Sequence, residues 1–267
     1  MHAAGFARGV RTAGDPANPP IVFLHGIRLG GRIWDQHARE LSDEFFVVTP
    51  DLPGHGELAD LPFDAPTLDA FLAYVADTVV SRPPLIVGYS LGGYAGMRYA
   101  CDLPDHTSGL VLAGSSTNIV GYRRALYASA VRVTARIPPA VIQSALRVFF
   151  RATLPPRVAN LIIPFRFNHE VFEQSLRLAG GIRYSDLLAR YRKPVLLVNG
   201  RWDVAFRRDE RVFAEAAGAR LIVMPRTDHV APLREPSAFS AIVGDFARGV
   251  FAQPAGPEGR TAQSTGG

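Results

Sequence analysis

A serine flanked by glycines is the feature of this 267-residue chain that most clearly suggests chemistry. The run Gly88-Tyr89-Ser90-Leu91-Gly92 follows a short apolar stretch and precedes residues with helical spacing. A serine hydroxyl is a weak nucleophile unless it is exposed and placed beside a base. A sharp strand-to-helix turn provides that exposure, and the start of the following helix directs its positive end towards a developing oxyanion. The pattern therefore predicts that Ser90 is a nucleophile.

Short apolar runs must form the elements that position this serine. Six of them are rich in β-branched residues and end in turn residues: 21–24, 45–49, 85–87, 110–113, 195–198 and 221–224. Runs this short and this apolar are typical of strands buried on both faces, as in a parallel sheet. Helical patterns lie between several of them, at 69–80 and 92–101, and a closing helix is predicted at 239–251. The alternation predicts an α/β fold with a mostly parallel, doubly wound sheet.

One long segment interrupts this alternation. Residues 115–193 contain no convincing strand, show helical spacing and are divided by five prolines between 138 and 164. Because ordinary loops are far shorter, we predict an inserted helical cap between a first core part, 1–114, and a second, 194–251. The tail at 252–267 is rich in Pro, Gly, Ser and Thr, a composition that predicts disorder.

Five motifs occur in an order that resembles the α/β-hydrolase family. The first apolar run ends in His25-Gly26-Ile27, similar to the family's H-G-x oxyanion loop, and the second ends in Asp51-Leu52-Pro53-Gly54-His55-Gly56, similar to its D-x-P-G-x-G turn. The third run leads into the serine motif. The fifth ends in Gly200-Arg201-Trp202-Asp203, where the family places its triad acid, and Asp228-His229 follows the sixth, where it places its histidine. The resemblance runs from about residue 20 to residue 251 and leaves out the cap.

The resemblance implies the α/β-hydrolase fold and a catalytic triad of Ser90, His229 and Asp203. His229 would act as general base and then as general acid, and Asp203 would hold its tautomer and stabilise its cation. The backbone N–H groups of Ile27 and Leu91 would form the oxyanion hole.

A second carboxylate offers a rival acid. Many relatives have glycine before the triad histidine, whereas this chain has Asp228. Adjacent side chains usually diverge, so the geometry required of an orienting acid favours Asp203. Among the other histidines, we expect His25 to fix its loop by hydrogen bonding and His55 to have a structural role in its turn. The remaining four show no metal-like grouping, and no nucleotide-binding loop is present, so neither a metal nor another cofactor is predicted.

Serine in the turn between the third predicted strand and the following helix limits the reactions to be expected, because haloalkane dehalogenases and epoxide hydrolases of this family have aspartate at that position. We therefore predict hydrolysis of a carboxylic ester, a lactone or a similar small acyl compound through an acyl-enzyme. Apolar cap residues suggest that the substrate carries an apolar group: Phe149, Phe150, Ile162, Ile163, Phe165 and Phe167. Trp34, Val204 and Val230 lie near the catalytic loops in sequence and are predicted pocket-wall residues.

Two other functions stay open at this level. The same triad serves C–C bond hydrolases, cofactor-free haloperoxidases or perhydrolases, and lyases, which motif order does not separate. A non-catalytic ligand receptor of this fold is a further alternative, although the full set of catalytic residues disfavours it.

Charge and composition constrain the partners. The formal net charge is +5, and residues 117–193 carry 13 basic and 3 acidic side chains. Such a basic segment is compatible with steering of anionic substrates, with weak contact to an anionic membrane surface, or with a merely solvated surface. Cys101 is the sole cysteine, and no secretory h-region and no apolar run long enough to span a bilayer is present. We expect a cytoplasmic protein without a nucleic-acid partner, and the sequence leaves the oligomeric state open.

Overall fold

A seven-stranded sheet forms the centre of the structure, a computed structural model that describes residues 3–252. The strands are β1 (Thr12–Ala13), β2 (Pro20–Leu24), β3 (Phe46–Val48), β4 (Leu85–Tyr89), β5 (Gly109–Ala113), β6 (Val195–Gly200) and β7 (Arg220–Met224). Their spatial order is β1-β3-β2-β4-β5-β6-β7. Only β1 runs antiparallel to its neighbour, and the other pairs are parallel. The carboxyl ends of β2 to β7 therefore lie along one edge.

The mostly parallel sheet predicted from the sequence is confirmed. Each of the six apolar runs overlaps one of the strands β2 to β7. The strand β1 was not predicted, since two residues are too few to show an alternating pattern.

Helices cover both faces of this sheet. They are α1 (Ala3–Ala7), α2 (Asp35–Leu41), α3 (Ala65–Tyr74), α4 (Leu91–Asp102), α5 (Tyr122–Thr134), α6 (Pro139–Thr153), α7 (Pro156–Ile162), α8 (His169–Ala179), α9 (Tyr184–Leu188), α10 (Glu210–Ala217), α11 (Ala231–Arg234) and α12 (Pro236–Ala252). Side chains alternate along each strand, so Leu85 and Val87 pack towards α12, whereas Ile86 packs in the layer that contains α3 and α4. Doubly wound packing of this kind explains why the strands are apolar throughout.

The segment between β5 and β6 contains five helices, α5 to α9, and no strand among the residues that the structure describes. Helices α8 and α9 pack on α4, whereas α6 packs mainly on α7. One isolated bridge, between Ile119 and Gly180, joins the two ends of the segment. These helices occupy the predicted cap, whose limits at 115 and 193 stay a prediction. The tail predicted to be disordered lies outside the described residues apart from Ala252, which ends α12.

Within residues 3–252, no helix is both long enough and apolar enough to cross a bilayer.

Candidate active site

Ser90 occupies the turn between β4 and α4, at the carboxyl edge of the sheet. Its backbone is left-handed, with φ 52° and ψ −116°, and its N–H donates to the Ala113 carbonyl at 2.8 Å. A Cβ atom added to Gly88 would lie 2.5 Å from the Cα of Gly93, so only glycine allows the strand and helix to approach this closely. A non-glycine residue in this conformation is strained, and such strain is a common feature of functional turns.

His229 and Asp203 follow β7 and β6 and lie beside this serine. His229 Nε2 is 3.0 Å from Ser90 Oγ, and His229 Nδ1 is 2.7 Å from Asp203 Oδ2. Asp203 is 3% exposed, and its other carboxylate oxygen accepts the Phe206 N–H at 3.1 Å. We assign the ring proton to Nδ1, because Asp203 accepts it there and Nε2 is then free to accept the serine proton. The arrangement can transfer a proton from Ser90 to His229 and stabilise the resulting cation.

The rival acid, Asp228, points away from His229. Its Oδ2 forms an ion pair with Arg234 at 2.6 Å, and its Oδ1 accepts the Val230 N–H at 3.1 Å. Within the described chain, His229 hydrogen-bonds to Asp203 and not to Asp228. The contacts agree with the preference for Asp203 that adjacent-residue geometry predicted.

Gly114, directly after β5, leaves room for the pair formed by His229 and Asp203. Its φ is +58°, and an added Cβ would lie 3.0 Å from His229 Nδ1 and 3.2 Å from Asp203 Oδ2. A methyl group at this position would therefore push on both partners of the hydrogen bond.

We expect Gly114→Ala to lower kcat about 10- to 100-fold, because small displacements of catalytic groups cost rates of this order. Gly218→Ala is a matched control, since Gly218 has the same φ of +58° and nothing within 4 Å of an added Cβ. Both variants should lose about 1–2 kcal/mol of unfolding free energy from the left-handed backbone. Steady-state kinetics and urea unfolding measure the two effects, and equal kcat values for both variants would contradict the steric role of Gly114.

The predicted oxyanion-hole residues lie against Ser90. Ile27 and Leu91 line one cavity together with Ser90. Among the hydrogen bonds of residues 3–252, neither the Ile27 N–H nor the Leu91 N–H donates to another group of the chain. Two such free N–H groups beside a nucleophile can bind a developing oxyanion.

His25 and His55 make local structural contacts. The His25 Nδ1 lies 2.8 Å from the Gly26 carbonyl, and its Nε2 accepts the Leu52 N–H at 2.9 Å. This ring therefore ties the 25–27 loop to the next turn, as the sequence analysis expected. The His55 Nδ1 lies 3.0 Å from the Pro53 carbonyl. Burial, and for His25 also the neighbouring His55, lowers the pKa of His25 to about 3, and burial lowers the pKa of His55 to about 4.

These buried histidines predict loss of stability in mild acid. Burial also lowers the pKa of His37 to about 4, whereas an unfolded histidine titrates near ~6.5. The unfolded state therefore binds more protons as the pH falls from about 6.5 towards 4, and each ring removes up to about 1.4 kcal/mol of unfolding free energy per pH unit. Urea unfolding between these pH values measures the slope. His37→Gln keeps a donor for the Pro232 carbonyl, and we expect it to reduce the slope by about one proton. An unchanged slope would show that His37 is not buried as a neutral ring.

The cavity at Ser90 is small and mostly apolar, with a volume of about 80 Å³. Its walls come from the start of α4 and from the cap helices α5 and α8. The sequence analysis missed its main apolar residues, which are Tyr94, Ile119, Tyr127, Val131, Phe172, Leu176, Ala179 and Phe206. Phe206 also stacks on the His229 ring, with 4.2 Å between ring centroids. Phe206 lies three residues after the predicted acid, Asp203, and this closeness in the sequence is the signal that could have identified it as a pocket residue.

The predicted pocket-wall residues lie elsewhere. The Trp34 ring is fully buried between Phe23 and Phe239, because the short 3₁₀ helix that it ends, Gly31–Trp34, directs the ring towards α12 and not towards the cap. Val204 is 69% exposed and borders a separate surface hollow. Val230 is partly buried and packs beside the core cluster on the α12 face. None of these side chains lines the Ser90 cavity described here.

The aromatic and aliphatic cap residues proposed for the substrate have other roles as well. Phe149 is 57% exposed, and Ile162 is buried in the core. Phe165 and Phe167 line a larger, second cavity. In the described part of the chain, the Ser90 cavity is therefore built mainly by α5 and α8 and not by the 149–167 segment.

No group of three or more His, Cys, Asp or Glu side chains among the described residues could hold a metal ion.

Comparison with known proteins places this geometry in context. A family model described as "Alpha/beta hydrolase family" matches residues 21–242. A 2-succinyl-6-hydroxy-2,4-cyclohexadiene-1-carboxylate synthase from Enterobacter sp. (strain 638) is 38% identical over 109 residues, which are 40% of this chain and 41% of that protein. The chain thus spans about two fifths of that relative's length.

Longer matches have lower identity. A pimeloyl-[acyl-carrier protein] methyl ester esterase from Neisseria meningitidis serogroup A is 27% identical over 256 residues, covering 88% of this chain and 79% of that protein. A thermophilic esterase from Thermogutta terrifontis superposes with a TM-score of 0.75 at 23% identity, over 90% of this chain and 93% of that one. At this identity the structural likeness concerns the fold.

Proposed function

Because the chain belongs to the α/β-hydrolase family, we propose that it is a serine hydrolase that cleaves a carboxylic ester through an acyl-enzyme. The observation that carries the proposal is the continuous hydrogen-bonded line from Ser90 through His229 to Asp203, at 3.0 Å and 2.7 Å. The esterase relatives support the same chemistry.

The first half of the reaction forms the acyl-enzyme. His229 Nε2 takes the Ser90 proton as Oγ attacks the carbonyl carbon, and the Ile27 and Leu91 N–H groups bind the oxyanion. Asp203 stabilises the His229 cation through Nδ1–H. His229 then donates its proton to the leaving alkoxide, and the C–O bond breaks to release the alcohol.

The second half releases the acid. A water molecule takes the place of the alcohol, and His229 removes its proton as the oxygen attacks the acyl carbon. Collapse of the second oxyanion expels Ser90 Oγ, which regains the proton from His229. Phe206 stacks on the His229 ring and so helps to hold its orientation.

The pocket favours a small apolar acyl group. A cavity of about 80 Å³ has room for two or three water-sized groups, since each occupies about 30 Å³. Short acyl chains therefore fit without movement of the cap. We expect kcat/KM to be highest for p-nitrophenyl acetate or butyrate and to fall at least about tenfold for decanoate, because a longer chain overfills the cavity and overpacking costs about 1–3 kcal/mol.

The same panel tests the proposed function. Turnover of at least one short ester at a rate above that of the Ser90→Ala variant supports it. No ester hydrolysis across all chain lengths would overturn it.

A relative named as a synthase favours one alternative, namely use of the same triad on a non-ester substrate. Assays of vinylogous diketone cleavage and of peracid formation, run beside the ester panel, separate these chemistries. A kcat/KM for either that exceeds every ester would replace the ester proposal.

A further inference from the structure

A second cavity, of about 660 Å³, lies beside the candidate site. It lies between the 54–59 turn of the core and the 164–171 segment that leads into α8. Arg28 and His55 line it from the core side, and Phe165, Arg166 and His169 line it from the cap side. We call it the Arg28 cavity.

Arg28 is an unusual residue for a wall position. It has a left-handed backbone, with φ 61°, although it is not glycine. Its guanidinium lies 5.6 Å from the centre of the Phe150 ring, and its buried Nε has no hydrogen-bond partner. In the part of the chain that the structure describes, no carboxylate pairs with it, and its burial lowers the pKa of the side chain. A partly desolvated cation without an anionic partner is unfavourable, and an anionic ligand would compensate it.

The surroundings of Arg28 favour an anion. Two guanidinium groups, those of Arg28 and Arg166, line the cavity, and none of its described lining residues is Asp or Glu. The buried carboxylate of Asp51, on the adjoining turn, is already bound by Arg11 at 3.0 Å. His55 and His169 also line the cavity, and among the described residues each has one buried ring nitrogen without a hydrogen-bond partner.

The positive charge of the cap also favours an anionic ligand outside the cavity itself. Residues 106–169 contain eight arginines and no aspartate or glutamate. One sign of charge around an opening raises the local concentration of oppositely charged ligands.

The Arg28 cavity and the Ser90 cavity share a wall. Ile27 lines the Ser90 cavity, and the next residue, Arg28, lines the Arg28 cavity. On α8, Phe172 lines the Ser90 cavity and its neighbour Val171 lines the Arg28 cavity. The two cavities therefore lie side by side.

The geometry points to an oxyanion subsite, in which Arg28 binds a carboxylate or phosphate group carried by the substrate at a distance from the ester. This inference rests on the proposed function, since it assigns a second, anionic group to the ester that Ser90 attacks. It makes Arg28 a specificity-determining residue.

Matched pairs of esters test this specificity. Methyl hemiesters of dicarboxylic acids from succinate to octanedioate are compared with methyl esters of monocarboxylic acids of the same length. We expect the wild type to prefer at least one hemiester, and Arg28→Met to lower the ratio of the two kcat/KM values by about 10- to 100-fold, the effect of losing a charge-assisted hydrogen bond. Arg28→Lys should recover part of the ratio. Arg32→Met, which removes an exposed arginine four residues away, should leave the ratio unchanged.

A binding measurement separates this inference from the proposed function. Thermal shift of the Ser90→Ala protein is recorded with glutarate and, separately, with inorganic phosphate, and repeated after adding Arg28→Met. A shift with either anion that requires Arg28 supports the subsite and identifies its preferred oxyanion, even if no ester is hydrolysed. The same response with and without Arg28, or no response to both anions, would overturn the subsite, whatever the outcome of the ester assays.

Discussion

Ser90→Ala should lower kcat for the best ester by about 10⁵- to 10⁶-fold, the scale seen when a serine nucleophile is removed from an intact triad. The variant keeps His229, Asp203 and the oxyanion-binding N–H groups, so a small residual rate over water is expected. Pre-steady-state kinetics should also lose the burst of alcohol release that reports acyl-enzyme formation. Steady-state and rapid-mixing assays on the preferred p-nitrophenyl ester measure both effects.

Ser115→Ala is the matched control for this substitution. Ser115 is a buried serine two residues after β5, close to the carboxyl edge of the sheet, and in the described part of the chain its Oγ has no hydrogen-bond partner. Removing that hydroxyl should change kcat less than about threefold, because no buried partner is left unpaired. Comparable losses in the two variants would indicate a general packing effect and argue against nucleophilic catalysis by Ser90.

Asp203→Asn should lower kcat by about 10⁴-fold, because an amide at this position no longer holds the proper histidine tautomer or stabilises its cation. The Phe206 N–H can still donate to the amide oxygen, so the loop should keep its fold. Far-ultraviolet circular dichroism and thermal unfolding of the variant check that the loss is chemical.

A parallel measurement on Asp228→Asn shows which of the two carboxylates orients His229. That variant breaks the ion pair with Arg234 and leaves the contact between His229 and Asp203 intact. It should cost less than about tenfold in kcat, since part-exposed ion pairs contribute about 0–1 kcal/mol. A larger loss in Asp228→Asn than in Asp203→Asn would assign the orienting role to Asp228.

Much of the fold was predictable because its signals are local. A strand that is buried on both faces must be apolar at every position, so β2 to β7 were visible as runs in the sequence. The strand β1 was not visible, since its two residues pair with β3 at the edge of the sheet and show no pattern of their own.

The proximity of Ser90, Asp203 and His229 was predictable for a related reason. Parallel strands end at one edge, so residues that directly follow β4, β6 and β7 had to lie near one another. The choice between Asp203 and Asp228 needed only the divergence of adjacent side chains. Arg234, which pairs with Asp228, was not part of that reasoning and lies six residues further along the chain.

The pocket was much less predictable. Trp34 was chosen because it follows the His25 loop in sequence, but a turn of helix directs its ring into the core. The walls of the Ser90 cavity instead come mainly from one face each of α5 and α8. The packing of a cap on a sheet depends on contacts between distant residues, so the spacing of residues within a helix does not predict it. Arg28 was not predicted as a binding residue for the same reason. Whether a carboxylate lies beside an arginine depends on which residues surround it in the fold.

Reaction with a fluorophosphonate probe tests the central claim most directly. Intact-mass spectrometry and peptide mapping should show one adduct per chain, located on Ser90 Oγ, and none on the Ser90→Ala protein. His229→Ala should slow the labelling strongly, because the serine then lacks its base. An adduct on another residue, or labelling of Ser90→Ala at the wild-type rate, would contradict the assignment of Ser90 as the nucleophile.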